Sequence, residues 1–205
     1  MNWETTRHQV AVAGRVTDAA TGKPVAGAVI TIVSMPAVFL RKVQLSSKQR
    51  KAPSREGMVD TTRSRADGLF YFLDLPEGKY TIAAALPGLG TRYGKAQETA
   101  VVTRDSRGNL KLVSVNFGLQ PTLIKGKIMG KGQKTGVAMA EVRLKGSGER
   151  AFSDAQGGYV LAGIESGKRS LLVSAQGYRA LSQPIHLAEP GTSELVNINL
   201  VREGG

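Results

Sequence analysis

The sequence predicts an all-β protein that is built from two tandem β-sandwiches of seven strands each. Three observations carry this prediction: the two halves of the chain resemble each other, short apolar runs alternate with polar residues, and Gly or Pro turn signals separate the runs. Helical periodicity is weak along the chain. Short strands that follow one another at this spacing are typical of a sandwich with about seven strands per unit.

The internal repeat defines the two units. Residues 24–32 match residues 136–144 at an offset of 112 positions. Further along the chain, Gly68 matches Gly157 at an offset of 89 positions. The difference of 23 positions between the two offsets predicts an insertion in the first unit, between the two matched stretches.

The repeat also predicts the domain boundaries. We expect an N-terminal tail over residues 1–9, a first sandwich over residues 10–120 and a second sandwich over residues 121–205. Within the first sandwich, the insertion makes residues 35–65 a separate segment, which we call the basic insert.

Each predicted strand rests on alternation, and each predicted turn rests on Gly, Pro, Asn or Asp. Residues 29–33 and 80–86 place apolar side chains at every second position, as expected of strands with one face in a core. The turn signals lie at residues 21–24, 66–68, 75–78 and 107–109. The last strand of each unit is predicted from the alternation at Val113, Val115, Phe117 and Leu119, and at Val196, Ile198 and Leu200.

The composition limits the chemistry that the chain can perform. Hydrophobic residues make up 41% and charged residues 21%, which is near the globular average and excludes a wholly disordered chain. Because there is no cysteine, disulfides, thiolate nucleophiles and cysteine-ligated metals are excluded. The formal net charge of +12 predicts attraction to acidic partners, and it does not choose among nucleic acid, anionic lipid and acidic protein surfaces.

Five short motifs in the first unit carry a family resemblance. They are residues 14–18 (GRVTD), 21–29 (TGKPVAGAV), 67–72 (DGLFYF), 75–82 (LPEGKYTI) and 87–89 (PGL). With these motifs the first unit resembles the carboxypeptidase regulatory-like domain, whose fold is a transthyretin-like (prealbumin-like) sandwich.

The second unit keeps part of the same pattern. Residues 154–159 (DAQGGY) and 177–178 (GY) match it, whereas the first turn is replaced by residues 130–134 (GKGQK). The resemblance implies two tandem transthyretin-like sandwiches of the kind that serve as accessory modules, with the motif residues building turns and core.

Neither the residues nor the resemblance points to catalysis. A hydrolase needs a nucleophile with a base, paired carboxylates in a cleft, or a metal with two or more His or Cys ligands. His8 lies in the predicted tail, and His186 alternates with Ile185 and Leu187, so we expect each histidine to be a lone, solvent-facing side chain. The ligands of zinc carboxypeptidases are absent. We therefore expect no enzyme activity, no cofactor and no metal site.

A covalent cross-link is an alternative that the sequence allows us to weigh. Related sandwiches on bacterial surfaces carry an isopeptide bond from Lys to Asn in the core, and Lys125 or Lys127 with Asn197 or Asn199 has the matching placement. If Ile198 points inward, alternation places both asparagines outward. The cross-link needs a buried pair, so we expect none here.

The basic insert is the candidate binding segment. It holds eight basic and two acidic residues, a net charge of +6, which is half of the +12 of the whole chain. It also opens with an apolar stretch over residues 35–40, which favours a docking element over a flexible loop whose charges only keep it in solution. The candidate protein-binding residues are Phe39, Leu40, Arg41, Lys42, Lys48, Arg50, Lys51 and Arg55.

These features favour a structural or adaptor protein that docks with other protein subunits of a larger assembly through acidic surfaces on those subunits. The family context implies a phage-tail-like contractile injection particle as that assembly. The alternative is a surface carbohydrate- or cell-wall-binding module, which predicts exposed aromatic rings, yet the one tryptophan, Trp3, lies in the tail. Nucleic acid is a poor match because Phe39 is the one aromatic residue of the insert. No small-molecule substrate is evident.

The N-terminal sequence predicts a cytoplasmic protein. Residues 1–8 lack the basic and apolar regions of a secretory signal. No run approaches the roughly 18 apolar residues of a membrane span. A mature secreted chain that begins at a new Met1 would have the same appearance, and that alternative stays open.

Overall fold

The computed structural model of the protein describes residues 8–48 and 60–204. It is 50% strand and 7% helix, and the strands form four sheets, which confirms the predicted all-β class. The chain divides into two compact units. Unit 1 comprises Met1–Gly88 and Lys95–Leu119, and unit 2 comprises Leu89–Gly94 and Gln120–Gly205.

The described part of unit 1 contains eight strands and one α-helix. They are β1 (Val10–Asp18), β2 (Val29–Ser34), α1 (Ala37–Lys48), β3 (Thr61–Arg63), β4 (Leu69–Leu73), β5 (Gly78–Ala85), β6 (Ala96–Val102), β7 (Val113–Ser114) and β8 (Phe117–Leu119). One sheet has the order β4, β1, β7, and β8 also pairs with β1; the other has the order β3, β2, β5, β6. The first and last strands of the unit are parallel neighbours.

Unit 2 repeats this topology. Its strands are β9 (Leu123–Gly130), β10 (Glu141–Leu144), β11 (Arg150–Phe152), β12 (Gly158–Ala162), β13 (Gly167–Ser174), β14 (Leu181–Leu187), β15 (Ser193–Leu195) and β16 (Ile198–Leu200). One sheet has the order β12, β9, β15, with β16 also on β9, and the other has the order β11, β10, β13, β14. The described part of unit 2 has no counterpart of α1.

The last strand of unit 1 is broken where the first strand carries a glycine. β7 and β8 are separated by Val115 and Asn116. A Cβ on Gly14 would lie 1.6 Å from the carbonyl oxygen of Val115, so no other residue fits there without a shift of the backbone. Asn116 closes the break, because its side-chain Oδ1 accepts the backbone N–H of Arg15 at 2.9 Å.

Unit 2 contains the same combination of a broken last strand, a glycine on the first strand and an asparagine that closes the break. A Cβ on Gly126 would lie 2.0 Å from the carbonyl oxygen of Val196, and Oδ1 of Asn197 accepts the backbone N–H of Lys127 at 2.9 Å. Each predicted last strand is therefore present in two pieces. Each unit has eight strands when the two pieces are counted separately, and seven when they are counted as one strand.

A buried serine joins two backbone segments in each unit. The Ser64 hydroxyl donates to the carbonyl oxygen of Val25 at 2.7 Å and accepts the N–H of Ala28 at 2.9 Å. Ser153 makes the corresponding bonds in unit 2 at 2.7 and 2.9 Å. Both side chains are buried, so these serines satisfy backbone groups that water cannot reach.

The core of each unit lies between its two sheets. In unit 1 it includes an aromatic group in which the rings of Phe70 and Phe117 are 5.6 Å apart. In unit 2 the fully buried residues are mainly aliphatic, namely Ile124, Ile128, Ile164, Leu171 and Leu187. Burial of these side chains is the main force that holds each sandwich together.

Candidate functional site

The basic insert contains a helix that the sequence did not predict. α1 begins directly after Pro36, whose carbonyl oxygen accepts the N–H groups of Phe39 and Leu40 at 3.0 Å. A proline just before a helix, followed by apolar Phe39 and Val43 four positions apart, is a local signal that could have revealed it. The helix ends at Lys48, and the structure is described again from residue 60.

One side of α1 is anchored in the core of unit 1. The Phe39 side chain is 1% exposed and contacts the ring of Tyr80 edge-on, with the centroids 5.9 Å apart. Tyr80 is itself fully buried, and its hydroxyl donates to the carbonyl oxygen of Pro76 at 2.7 Å. Burial raises the pKa of Tyr80 to about 12, so the ring stays neutral at physiological pH.

The start of the insert is held by a second contact. Pro36 packs against Gly78, where an added Cβ would lie 2.4 Å from the Pro36 Cγ atom. Gly78 also has φ of 142°, a conformation that residues with a side chain rarely adopt. The glycine of the predicted turn at residues 75–78 therefore has two roles, in the turn and beneath the insert.

A second side of α1 presents apolar side chains to solvent. Val38 is 71% exposed and Leu45 is 64% exposed. These residues are seven positions apart and lie on the same side of the helix. Arg41 and Lys42 are exposed between them in sequence, so the outward surface combines two apolar side chains with two positive charges. We call Val38, Arg41, Lys42 and Leu45 the helix surface.

The structure separates the predicted binding residues into three groups. Phe39 belongs to the core, which corrects its assignment as a contact residue: a side chain that is 1% exposed cannot reach a partner. Leu40, Arg41 and Lys42 are exposed on α1, as a docking role requires. Lys48 ends the helix, and its side chain is not described; Arg50, Lys51 and Arg55 lie outside the described residues, as does Trp3.

A depression of about 320 Å³ lies beside the helix and is lined by His8, Lys42 and Asp74, among other residues. His8 is exposed, yet it is not a lone side chain, because its Nδ1 atom makes a hydrogen bond with Asp74. The backbone N–H of Gln9 donates to the Asp74 carboxylate and is the main cause of the lowered pKa of Asp74. His8 and the positive charge of Lys42 lower it further.

The acidic residues Asp67 and Glu77, which lie in two of the predicted turns, have structural partners. Oδ1 of Asp67 accepts the N–H of Leu69 at 2.9 Å, and Oε1 of Glu77 accepts the N–H of Arg104 at 2.9 Å. His186 is exposed on β14 as predicted. Across the described residues, no group of three or more His, Asp or Glu side chains could hold a metal ion. Within the same residues, every helix falls short of the length and apolar character that a bilayer crossing requires.

The side chains weighed for a cross-link point outward, as predicted; they are Lys125, Lys127, Asn197 and Asn199. All four residues are exposed, whereas Ile198 between the asparagines is 1% exposed. Oδ1 of Asn197 accepts a backbone N–H, as described above. These four residues therefore do not form the buried Lys and Asn pair that a core isopeptide bond requires.

Unit 2 contains a charged cluster that the sequence did not reveal. The Arg92 guanidinium makes ion pairs with Glu149 and Glu165, and it donates to the carbonyl oxygen of Gly163 at 2.7 Å. The Thr91 hydroxyl donates to the Glu165 carboxylate. The cluster holds Leu89–Gly94 within unit 2. Its members are 57 and 73 positions apart in sequence, so no local motif marks it.

Two family models match the chain one after the other. The model described as the carboxypeptidase regulatory-like domain matches residues 11–113. The model described as the CarboxypepD_reg-like domain matches residues 124–203. No curated protein matches the chain.

Several solved structures are similar to the chain. The shaft pilin SpaA from Lactobacillus rhamnosus GG is 15% identical, with 98% of this chain and 99% of that chain covered and a TM-score of 0.44. The Bacillus anthracis TIE protein is 17% identical over 93% of this chain, with a TM-score of 0.43, and this chain spans about a third (34%) of it. A type II cohesin-X-dockerin complex from Acetivibrio cellulolyticus is 16% identical over 38% of this chain and 56% of that chain, with a TM-score of 0.32.

These similarities to solved structures assign no partner to this chain. The family models, in contrast, identify the family of the chain. The first model alone covers half of the 205 residues, and the second covers most of the remainder. The chain therefore belongs to the carboxypeptidase regulatory-like domain family and carries two of these domains in tandem.

Proposed function

We propose that this protein is a non-enzymatic structural or adaptor protein that docks within a larger protein assembly through the helix surface. The observation that carries the proposal is the two-sided character of α1. Phe39 is anchored in the core, while Val38 and Leu45 are more than 60% exposed beside Arg41 and Lys42. A helix that only closed a gap in the sandwich would need the buried side and would not need exposed valine and leucine.

The chemistry of the helix surface defines the partner that suits it. Burying a valine or leucine side chain yields roughly 1.5–3 kcal/mol, so a partner that covers both residues gains a useful share of its binding energy there. The charges of Arg41 and Lys42 favour a partner surface that carries carboxylates around an apolar patch. The proposed partner is therefore an acidic surface of another protein subunit.

Substitution of the exposed apolar residues tests this proposal without disturbing the anchor. The double variant Val38→Ser and Leu45→Ser should lose co-sedimentation with a large particle when the protein is purified from its own cells. Leu112→Ser is the matched control, because Leu112 is 63% exposed in unit 1 and lies outside the helix. Retention of the double variant in the particle fraction at the wild-type level would contradict the proposal.

We further propose, from the family context, that the assembly is a phage-tail-like contractile injection particle that forms in the cytoplasm. Sedimentation of the chain with sheathed tubular particles, seen by electron microscopy of the same fraction, is the expected result. Deleting residues 36–58 should abolish incorporation, but it also removes Phe39 from the core, so the two serine substitutions are the sharper test. Recovery of the chain in the cell-wall fraction alone would contradict this assignment.

The alternative function, a surface carbohydrate- or cell-wall-binding module, has less support. Sugar binding by stacking needs accessible aromatic rings. Among the described residues the exposed ones are Tyr71 and Phe152, and the Arg65 guanidinium lies 5.3 Å from the ring centre of Tyr71. A peptidoglycan pull-down discriminates between the two functions, since retention that Phe152→Ser abolishes would favour this alternative.

A further inference from the structure

The outward face of one sheet in unit 2 carries a row of three side chains that unit 2 itself does not use. Val160 on β12 and Leu195 on β15 both pair directly with Lys125 on β9, one on each side. Neighbouring strands lie about 4.8 Å apart, so the three side chains stand next to one another across the sheet. Val160 is 57% exposed and Leu195 is 67% exposed. We call Val160, Lys125 and Leu195 the sheet row.

The sheet row lies within a shallow depression of about 700 Å³. Phe152, which is 50% exposed, and Lys127 also line this depression. The depression thus gathers three exposed apolar side chains, Val160, Leu195 and Phe152, whereas a single exposed apolar residue on a surface would need no explanation. The depression is thus an apolar surface with two lysines in it.

The charge of this depression is positive. Neither Lys125 nor Lys127 makes an ion pair or a side-chain hydrogen bond within the part of the chain that the structure describes. Asp154 is the carboxylate that lines the depression, and its Oδ1 atom accepts the N–H groups of Gln156 and Gly158 at 2.9 and 2.7 Å. The lining therefore carries two positive charges against one negative charge, and Asp154 forms no ion pair with either lysine, so both ammonium groups can pair with an incoming carboxylate.

Comparison of the two copies shows that the fold does not require this surface. In unit 1 the corresponding row consists of Tyr71, Ala13 and Ser114, in the same register across β4, β1 and β7. The two units share their topology, their broken last strands and their buried serines, yet a lysine replaces alanine and a leucine replaces serine in the row of unit 2. The same topology forms in unit 1 with alanine and serine at these positions, so the topology itself does not call for Lys125 and Leu195.

We propose that this face of unit 2 binds an extended segment of a partner protein in which apolar and carboxylate side chains alternate along the side that faces the sheet. The apolar side chains would cover Val160, Leu195 and Phe152, and the carboxylates would pair with Lys125 and Lys127. The proposal goes beyond the helix surface, because it uses no residue of the insert and concerns the other unit.

A defined peptide tests this proposal on the full chain. The probe is an eight-residue peptide with the sequence Ser-Leu-Ser-Glu repeated twice, so that leucine and glutamate alternate along one side of the extended chain. Titration of the isotope-labelled protein, followed by amide NMR, should give saturable shifts at β9, β12 and β15. Replacing the glutamates of the peptide with glutamine should weaken binding by about threefold or more.

Variants of the sheet row locate the binding. Leu195→Ser, which installs the residue that unit 1 carries, should weaken binding by about fivefold. Lys125→Ala should weaken it by about threefold. Ser114→Ala in unit 1 is the control and should bind like the wild type. Since Leu195 and Lys125 are exposed, both variants should keep the wild-type unfolding temperature, and Val160→Thr provides a third variant if one of them does not.

Three results would overturn the proposal. The first is the absence of saturable shifts at millimolar peptide. The second is wild-type affinity in both Leu195→Ser and Lys125→Ala. The third is self-association of the chain that Leu195→Ser abolishes, since the occupant would then be a second copy. All variants keep the insert intact, so these outcomes are independent of the test of the helix surface.

Discussion

The ring of Phe39 stands edge-on to the ring of Tyr80, with a centroid distance of 5.9 Å and an interplanar angle of 75°. This contact fixes α1 to the core of unit 1, because Phe39 is the fully buried residue of the helix among those with described side chains. Unit 2 has Arg169 at the position that corresponds to Tyr80 and has no helix there among its described residues. The aromatic pair is therefore specific to the unit that carries the insert.

Loss of the Phe39 ring should destabilise unit 1. Phe39→Ala is expected to lower the free energy of unfolding by about 3 kcal/mol, because it removes a buried aromatic side chain and leaves a cavity. The neighbouring Leu40 is 43% exposed, and Leu40→Ala should cost under about 1 kcal/mol. Urea-induced unfolding of both variants measures the difference. Equal losses in the two variants would contradict the anchoring role of Phe39.

A methyl group at Gly126 should disrupt the first strand of unit 2. The added Cβ would lie 2.0 Å from the carbonyl oxygen of Val196, so Gly126→Ala should cost about 2 kcal/mol or more. Gly148→Ala is the control, since no atom lies within 4 Å of its added Cβ and its φ is not positive. We expect the control to be neutral or slightly stabilising, by up to about 1 kcal/mol. Thermal unfolding, followed by circular dichroism, compares the two variants. If Gly126→Ala left the unfolding temperature unchanged, the close approach of residue 126 to the carbonyl oxygen of Val196 would be refuted.

Removal of the Ser153 hydroxyl should leave two buried backbone groups without partners. Ser153→Ala is expected to cost about 2 kcal/mol, because the carbonyl oxygen of Val137 and the N–H of Ala140 lose their hydrogen bonds. Ser182→Ala, at an exposed position of β14, should change the free energy of unfolding by under about 0.5 kcal/mol. Chemical denaturation measures both values. Indistinguishable midpoints would show that the buried hydroxyl is dispensable.

The carboxylate of Glu149, with its hydrogen bonds and its ion pair, should make unit 2 sensitive to acid. A hydrogen bond from the Ser147 side chain, and next the one from Arg92, lower the pKa of Glu149 from 4.5 to about 2. Because the folded-state pKa lies below the unfolded value, the carboxylate stabilises the fold. This stabilisation is fully present above pH 4.5 and is lost as the pH falls towards 2.

The variant Glu149→Gln tests this dependence. Its unfolding temperature should lie further below the wild-type value at pH 6 than at pH 3. Glu189→Gln, at an exposed position, should differ from the wild type by the same small amount at both pH values. A gap for Glu149→Gln that does not change with pH would rule out the proposed contribution of the Glu149 carboxylate.

The sequence predicted the candidate site only in part. The charge of the insert and its apolar opening are visible as composition, so the sequence marks residues 35–65 as the unusual segment. Composition does not show, however, which side chains of the insert point into the core and which point into solvent. Phe39 and Leu40 are adjacent and both apolar, yet one is buried and the other exposed, because the helix turns by about 100° per residue and only one side meets Tyr80.

The sequence by itself determined the all-β class, the two copies and the position of the insertion. These features are encoded in patterns that repeat or alternate locally, as in the match of Gly68 with Gly157. Only the tertiary structure decided which side of α1 is anchored, how Asn116 closes the broken strand, and that Arg92 meets Glu149 and Glu165. Those contacts join residues far apart in the chain, and their energies depend on three-dimensional proximity and burial, which no local pattern records.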